Sequence, residues 1–320
     1  MELLDEFINK KAISRRNFLA GAGTTAAAAV LVGCGDNGVA IPATPATTTF
    51  TDADILNFAL NLEYLEAEFY LRAATGSGLA TADAGTGAGA VTGGSKVPNL
   101  TAAQQQILNE IAYDEQAHVQ FLRSALGSSA VARPTIDFTS SFPALATAAG
   151  ITGITFNPFA DFDSFLVGAF IFEDVGVTAY HGAAPLISTA GITAGYLTAA
   201  AGILAVEAYH AAYVRTALTG RAIAAASASP ATAYPYLGFA NSISALRASV
   251  GGGNETTLKL PTTTATASSI VAADTTNAIA FSRSTDQVLH IVYGTGGGSG
   301  LAKGAFFPSG LNGTIKVTAA

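Results

Sequence analysis

Two stretches of this 320-residue chain repeat one another, and they restrict its fold more than any other feature. Ile111 to Leu126 aligns without gaps on Ile203 to Leu218. Each copy contains Glu-x-x-His, as Glu115 and His118 and as Glu207 and His210, and each has an arginine five residues after the histidine, Arg123 and Arg215. Residues three apart share a helix face, their side chains about 5–6 Å apart, so each copy aims a carboxylate and an imidazole at one point. The chain has ten glutamates and four histidines, so two such pairs arise by chance with a probability below roughly 1%. A weaker repeat precedes each copy: Glu63 stands seven residues before Tyr70, Glu173 seven before Tyr180, and Ala73-Ala74 matches Ala183-Ala184. The order is A-B-A-B, a duplicated helical hairpin.

The apolar spacing of Ile55, Leu56, Ala59, Leu62, Leu65 and Phe69 predicts a first helix over 52–74, capped by Thr51 or Asp52. Residues 75–100, rich in Gly, Thr and Ala, read as a mobile loop. Thr101 caps a second helix that runs to Leu126 and closes at Gly127. Pro134, Pro143 and Pro158, with Gly150 and Gly153, make 127–160 a long connection. Asp161 or Asp163 caps a third helix to Ala184, stopped by Pro185. The fourth spans 193–218 and stops at Gly220. Beyond it, a short helix is expected around 239–249, another from Ser284 to Tyr293, and a short strand over 314–318.

Two Glu-x-x-His pairs plus one glutamate from each of the other helices put four carboxylates and two imidazoles inside a four-helix bundle. That is the ligand set of di-iron and di-manganese carboxylate proteins. Oxygen with imidazole donors suits Fe or Mn, and a chain with one cysteine has no thiolate set for zinc. The candidate ligands are Glu63, Glu115, His118, Glu173, Glu207 and His210. The bland alternative is a duplicated helix pair whose polar groups only hydrogen-bond. It has a cost, because clustered buried carboxylates cannot all ionise without a cation. Glu66 lies on the face of Glu63 and is a candidate extra ligand, base or arginine partner. Glu68 is expected on a solvated face. Asp114 and Asp174 flank ligands as supporting or surface groups. Tyr70 and Tyr180 could pack, hydrogen-bond ligands across the bundle, or act as redox-active phenols; with Glu66 they are the candidate catalytic groups. Arg123 and Arg215 could offset the carboxylates or serve the surface. His181 and His290 lack a glutamate partner and read as structural.

Half of the chain is hydrophobic and its mean hydropathy is +0.41, yet no apolar run reaches the ~20 residues of a spanning helix. A net charge of −7 argues against nucleic-acid binding, which needs a basic stripe. The first 33 residues read as an address. Ser14 to Leu19, with Arg15 and Arg16, resembles a twin-arginine export motif. An apolar stretch from Phe18 to Val32 follows, and Leu31-Val32-Gly33-Cys34 resembles a lipoprotein cleavage box. Cys34, the sole cysteine, would carry the lipid. Residues 34–50 read as a Pro/Thr/Ala tether. The expectation is a lipoprotein anchored in the membrane, facing the periplasm or cell surface.

Asn61-Leu62-Glu63 with Tyr70-Leu71 resembles the first ligand helix of ferritins. Over residues 51–220 the chain is similar to the ferritin-like superfamily, and specifically to the ferritin-like domain family that includes plant desiccation-related proteins and exported bacterial proteins. Ala280 to Ser284, Gln287 to Leu289 and Phe306 to Gly313 resemble the tail of that family. The resemblance implies an all-α, ferritin-like four-helix bundle with long connections. Residues 221–320 would form a mostly irregular C-terminal extension packed on it, with a short helix and strand. It also implies two Fe or two Mn ions and redox chemistry with dioxygen or peroxide, as ferroxidase or in peroxide removal. The alternative is a non-catalytic envelope or desiccation-stress protein that uses the bundle as a scaffold. A homodimer is compatible with either reading; a ferritin-like cage is not expected, because anchor, loops and tail would crowd a shell.

Overall fold

The computed structural model describes residues 50–228, 234–259, 270–294 and 298–319. The segment expected to be an export signal, Cys34 with its expected lipidation, and the expected tether up to residue 49 lie outside the described residues. Helix α1 spans Asp52–Thr75, α2 Thr81–Ala84, α3 Ala102–Leu126 and α4 Ser141–Ala148. Helix α5 spans Phe162–Ala183, α6 Thr189–Thr193, α7 Tyr196–Ala228, α8 Pro235–Val250 and α9 Thr285–Val292. Helices α1, α3, α5 and α7 make the bundle. Helix α1 packs along α3 and α5 along α7; the two hairpins meet more closely through α1 and α5 than through α3 and α7.

The helix starts follow from side-chain chemistry. Thr51 with Asp54, and Thr101 with Gln104, form reciprocal capping boxes that satisfy two otherwise orphaned N–H groups each. Of the two candidate caps for α5, Asp161 serves, accepting from the Ser164 N–H at 2.7 Å. The end of α7 departs from expectation. Gly220 does not stop it, because this glycine faces open space and costs a helix only about 1 kcal/mol relative to alanine. Beyond it Ala222 is buried and Arg221 pairs with Asp163 of α5, so packing carries α7 eight residues further. Its start shifts too: Gly195, at φ 88°, separates α6 from α7. By length and composition α7 would be long and apolar enough to cross a membrane, which amends the reading that no such segment exists. It nevertheless buries Glu207, His210 and Arg215 against the bundle.

The segment 75–100 is not the mobile loop that its composition suggests. It contains α2 and a two-residue strand β1, Val91–Thr92, paired in parallel with β2, Ile136–Asp137. Backbone bonds from Arg133 to Ala84 (2.9 Å) and from Gly89 to Arg133 (2.7 Å) add to this pairing. The long connection 127–160 thus folds over the loop. Its Pro143 sits in the first turn of α4, where a missing N–H costs nothing. Residues 314–318 do not form the expected strand. Single bonds satisfy the segment instead, from the Thr318 N–H to Leu301 (2.9 Å) and from the Tyr293 hydroxyl to Lys316 (2.8 Å).

The core replaces the absent tryptophan with phenylalanine. Phe69 of α1 stacks on Phe165 and meets Phe138, Phe142, Phe159 and Phe172 at ring-centroid distances of 5.2–6.1 Å. Phe306 from the extension joins this cluster, 5.0 Å from Phe172. A second bond between extension and bundle is ionic. Asp174 of α5 takes Arg215 of α7 (2.7 Å) and Arg247 of α8 (2.8 Å). Arg247 continues to Glu255 (2.7 Å), and Glu255 to Arg283 (2.6 Å), which returns to Thr178 of α5 (2.8 Å). Asp174, Arg215, Arg247 and Arg283 are buried, and Glu255 is half-buried.

Candidate metal centre

Four helices bring the six sequence-derived ligands into two adjoining groups. Glu63 comes from α1, Glu115 and His118 from α3, Glu173 from α5, and Glu207 and His210 from α7. None is more than 8% exposed. Glu63, Glu115, His118 and Glu207 place one donor atom each within 4.8 Å of one another, and Glu115, Glu173 and His210 do the same. Glu115 belongs to both groups. Its two oxygens lie 3.4 Å from His118 Nδ1 and 3.0 Å from His210 Nδ1. His118 Nδ1 also meets Glu63 at 3.2 Å, and His210 Nδ1 lies 3.7 Å from Glu173.

The residues fit a bound divalent cation. Both oxygens of Glu115, both of Glu207, one of Glu173 and Nδ1 of His210 are buried with no aligned hydrogen-bond partner. Native interiors rarely leave such atoms unsatisfied, and here they converge. Carboxylate oxygens with imidazole nitrogens are donors that suit a divalent transition metal.

The hydroxyls of Tyr70 and Tyr180 cross the bundle. Tyr70 of α1 donates to Glu173 of α5, and Tyr180 of α5 donates to Glu63 of α1. The repeat thus builds a pair of braces related by its internal duplication, each orienting the other hairpin's glutamate. At the outer edge of the cluster Asp114 meets His210 Nε2 at 3.2 Å, which turns Nδ1 of that ring toward Glu115 and Glu173. Asp114 and Glu110 line a cleft of about 340 Å³ between α3 and α7 that reaches His210. This is the side on which the two hairpins meet less closely.

Burial sets the electrostatics of the cluster. It raises the Glu63 carboxyl to about 7 and Glu173 to about 8, with the two imidazoles pulling the other way. Burial and neighbouring carboxylates push Glu66 and Glu207 well above the usual range. Glu115 is also buried, but His118 and His210 outweigh that and hold it at about 2. Burial disfavours the charged imidazoles, yet Glu63 and Glu115 draw His118 up to about 11, and Glu173 and Glu115 draw His210 up to about 9. Metal-free, the cluster balances itself with protons. A cation must displace them, so metal uptake near pH 7 should release protons, strengthen as pH rises toward about 9 and fail in acid. Calorimetry of Mn(II) uptake in buffers of different ionisation enthalpy reads this directly; uptake without proton release would contradict it.

Other sequence-derived candidates fall elsewhere. Glu66 is buried beside the cluster, its surroundings set by Glu115, Glu63 and Glu173. Its repeat counterpart Gly176 leaves the space that Glu207 and Glu66 fill: a Cβ there would lie 2.2 Å from Glu207 Oε2 and 3.4 Å from Glu66 Oε1. Glu68 is not solvated. It is fully buried and accepts from Arg72 (2.9 Å), from Arg133 and from the Leu79 N–H (3.2 Å), because the 75–100 loop and the following connection fold over its face of α1. The repeat's arginines brace helices: Arg123 donates to the Tyr64 hydroxyl (2.7 Å), and Arg215 grips Asp174. His181 meets the Phe281 carbonyl at 3.2 Å, and His290 lies 3.7 Å from Asp286. Sequence reasoning passed over Arg247, Glu255 and Arg283. Their signal was faint: scattered charges in a tail rich in Gly, Ala, Ser and Thr.

Comparison with known proteins agrees with this geometry. The profile described as the ferritin-like domain matches residues 51–220, the span of the four bundle helices up to Gly220. The chain belongs to the ferritin-like domain family. Among its relatives is the ferritin-like catalase Nec2 of Nesocodon mauritianus, 31% identical over 279 residues, or 82% of this chain and 84% of that protein. Another is the desiccation-related protein PCC13-62 of Craterostigma plantagineum, 32% identical over 176 residues, 54% of each chain. The match to the ferritin-like catalase is longer than the bundle itself, so it takes in part of the flanking sequence.

Proposed function

We propose that this ferritin-like protein holds two Fe or two Mn ions between its four helices and removes hydrogen peroxide. The observation that carries the reading is Glu115, one carboxylate shared by two buried donor groups, each with its own imidazole. Similarity to a protein named a ferritin-like catalase supports peroxide over the other oxidants. When bound, a metal pair supplies the valence change by which two peroxides become two waters and one dioxygen.

The chain supplies geometry and exclusion. Glu63, Glu115 and Glu207 with His118 would hold one ion, and Glu115, Glu173 and His210 the other. Tyr70 and Tyr180 keep Glu173 and Glu63 oriented as protons leave the cluster. The phenylalanine cluster around Phe69 and Phe172 keeps bulk water away from one side. The cleft lined by Glu110 and Asp114 offers cations a negatively charged approach to His210 on the other. Twin-arginine export, which carries folded cargo, suits a site loaded before export, and lipidation at Cys34 would tether the bundle at the periplasmic or outer surface.

The test is metal analysis followed by peroxide turnover. About two ions per chain, with one dioxygen evolved per two peroxides consumed, is the expected result. Less than about 0.3 ion per chain after Fe(II) or Mn(II) addition would sink the proposal. Fe(II) oxidation by dioxygen without peroxide turnover would redirect it to a ferroxidase. The similarity to a desiccation-related protein favours a second reading, a non-catalytic stress protein. That reading expects a stable fold whose stability is indifferent to added metal.

A further inference from the structure

A second cavity lies on the opposite side of the cluster from the α3–α7 cleft. It measures about 20 Å³ and sits between α1 and α5, above the ~10–15 Å³ that one water-sized molecule requires. Leu65, Val175, Ile291, Val292 and Phe306 wall it, and Glu66 is the charged side chain on its lining. All of them are buried. Glu66 has the cluster carboxylates on one side and these apolar walls on the other. Gly176 lines the same end, and its missing side chain lets the carboxylates of Glu207 and Glu66 reach the edge of the cavity.

We infer that this cavity is the holding site for the small neutral oxidant, with Glu66 contacting it where the apolar pocket meets the donor cluster. The inference rests on the peroxide reading above. The walls suit such a guest: an ion would lose its hydration there without compensation, and a molecule much larger than peroxide would not fit. Ile291 and Val292 of α9, with Phe306, form the wall opposite the bundle helices. All three lie outside residues 51–220, the span of the ferritin-like profile. The C-terminal extension therefore sets the size of molecule that reaches the site.

Side-chain volume at this wall tests the assignment. In the metal-loaded full chain with ascorbate supplied as the two-electron donor, which an alkyl hydroperoxide needs to be reduced to its alcohol and water, Ile291→Ala is expected to raise kcat/KM for tert-butyl hydroperoxide about tenfold relative to hydrogen peroxide, and Val292→Phe to lower kcat/KM for hydrogen peroxide about tenfold. Metal content should stay at the wild-type level in both. Wild-type selectivity in an Ile291→Ala variant that retains its metal would overturn the inference, and this variant decides the matter if Val292→Phe fails to fold. A second readout needs no turnover. In the metal-free Ile291→Cys variant, neutral methyl methanethiosulfonate should label position 291 at least about tenfold faster than its trimethylammonium-ethyl analogue, once each rate is normalised to free cysteine. Equal normalised rates would overturn the inference. Absence of peroxide turnover in the loaded wild type would instead overturn the functional reading, leaving the labelling result to decide the cavity.

Discussion

Glu115→Gln is expected to abolish both donor groups at once. Glu115 belongs to each, and its oxygens face Nδ1 of His118 and of His210. Removing a group that merely supports a ligand weakens a metal site about 10- to 100-fold, and loss of a shared ligand should exceed that. Bound metal should fall below about 0.2 ion per chain at concentrations that fill the wild type, and peroxide turnover below about one-hundredth. The stabilisation that metal confers should vanish with it, about 4 kcal/mol for a single site at 1,000 times its Kd. Glu207→Gln makes the comparison clean. Burial and the neighbouring carboxylates push its carboxyl well above the ordinary range in the metal-free cluster, so a neutral amide imitates the protonated form that this environment favours. The metal-free variant should unfold at the wild-type temperature or above it, while its metal-induced shift shrinks. Equal metal shifts in wild type and both variants would refute the assignment.

The second large effect lies one residue from Glu173. Asp174→Ala would leave Arg215 and Arg247 facing each other in the interior, with Arg283 two links away. Removing one partner of a buried ion pair costs about 3–5 kcal/mol, which should lower Tm by on the order of 10 °C. The pH dependence separates this network from simple packing. Burial alone would raise the Asp174 carboxyl, but Arg215 and Arg247 outweigh it and hold the group below its ordinary range. A depressed folded-state pKa means the contribution is fully present above the unfolded value near 4 and disappears as pH falls through the folded value. Wild type should therefore lose this increment in acid, and Asp174→Ala should not. Denaturant titrations of both proteins at pH 7 and at pH 3 measure the difference. A constant gap between them would mean that the charge plays no part.

Both predictions concern groups of very different visibility in the sequence. The ligands were legible because a helix converts spacing into direction: Glu-x-x-His faces one way wherever it forms, and the duplication supplied four matched helices. Glu63 was preferred over Glu66 by the same logic, since Glu173 repeats one and Gly176 the other. Glu68 shows the limit of that reasoning. Its face of α1 reads as solvated until a loop and connection distant in sequence fold over it and bring Arg133. Gly220 is a second case: local propensity ends a helix there, and the Arg221–Asp163 pair with buried Ala222 continues it. The Gly/Thr/Ala composition of 75–100 lacked any periodic signal, yet pairing with Ile136 and Asp137 orders it.

The sequence by itself determined the four-helix plan, the six candidate ligands and the tyrosines two turns beyond the glutamates. All of these follow from intervals of three, four and seven residues along one regular element, where the period of the helix fixes which side chains share a face. Only the tertiary structure decided that Glu115 is shared, that each tyrosine braces the opposite hairpin's glutamate, and that Arg247 and Arg283 close on Asp174 and Glu255. It alone decided, too, that α9 and Phe306 wall the pocket beside Glu66. Those relations join residues up to 240 positions apart, and no local periodicity records them. They arise when apolar burial brings the hairpins and the extension together and each buried charge must find a partner.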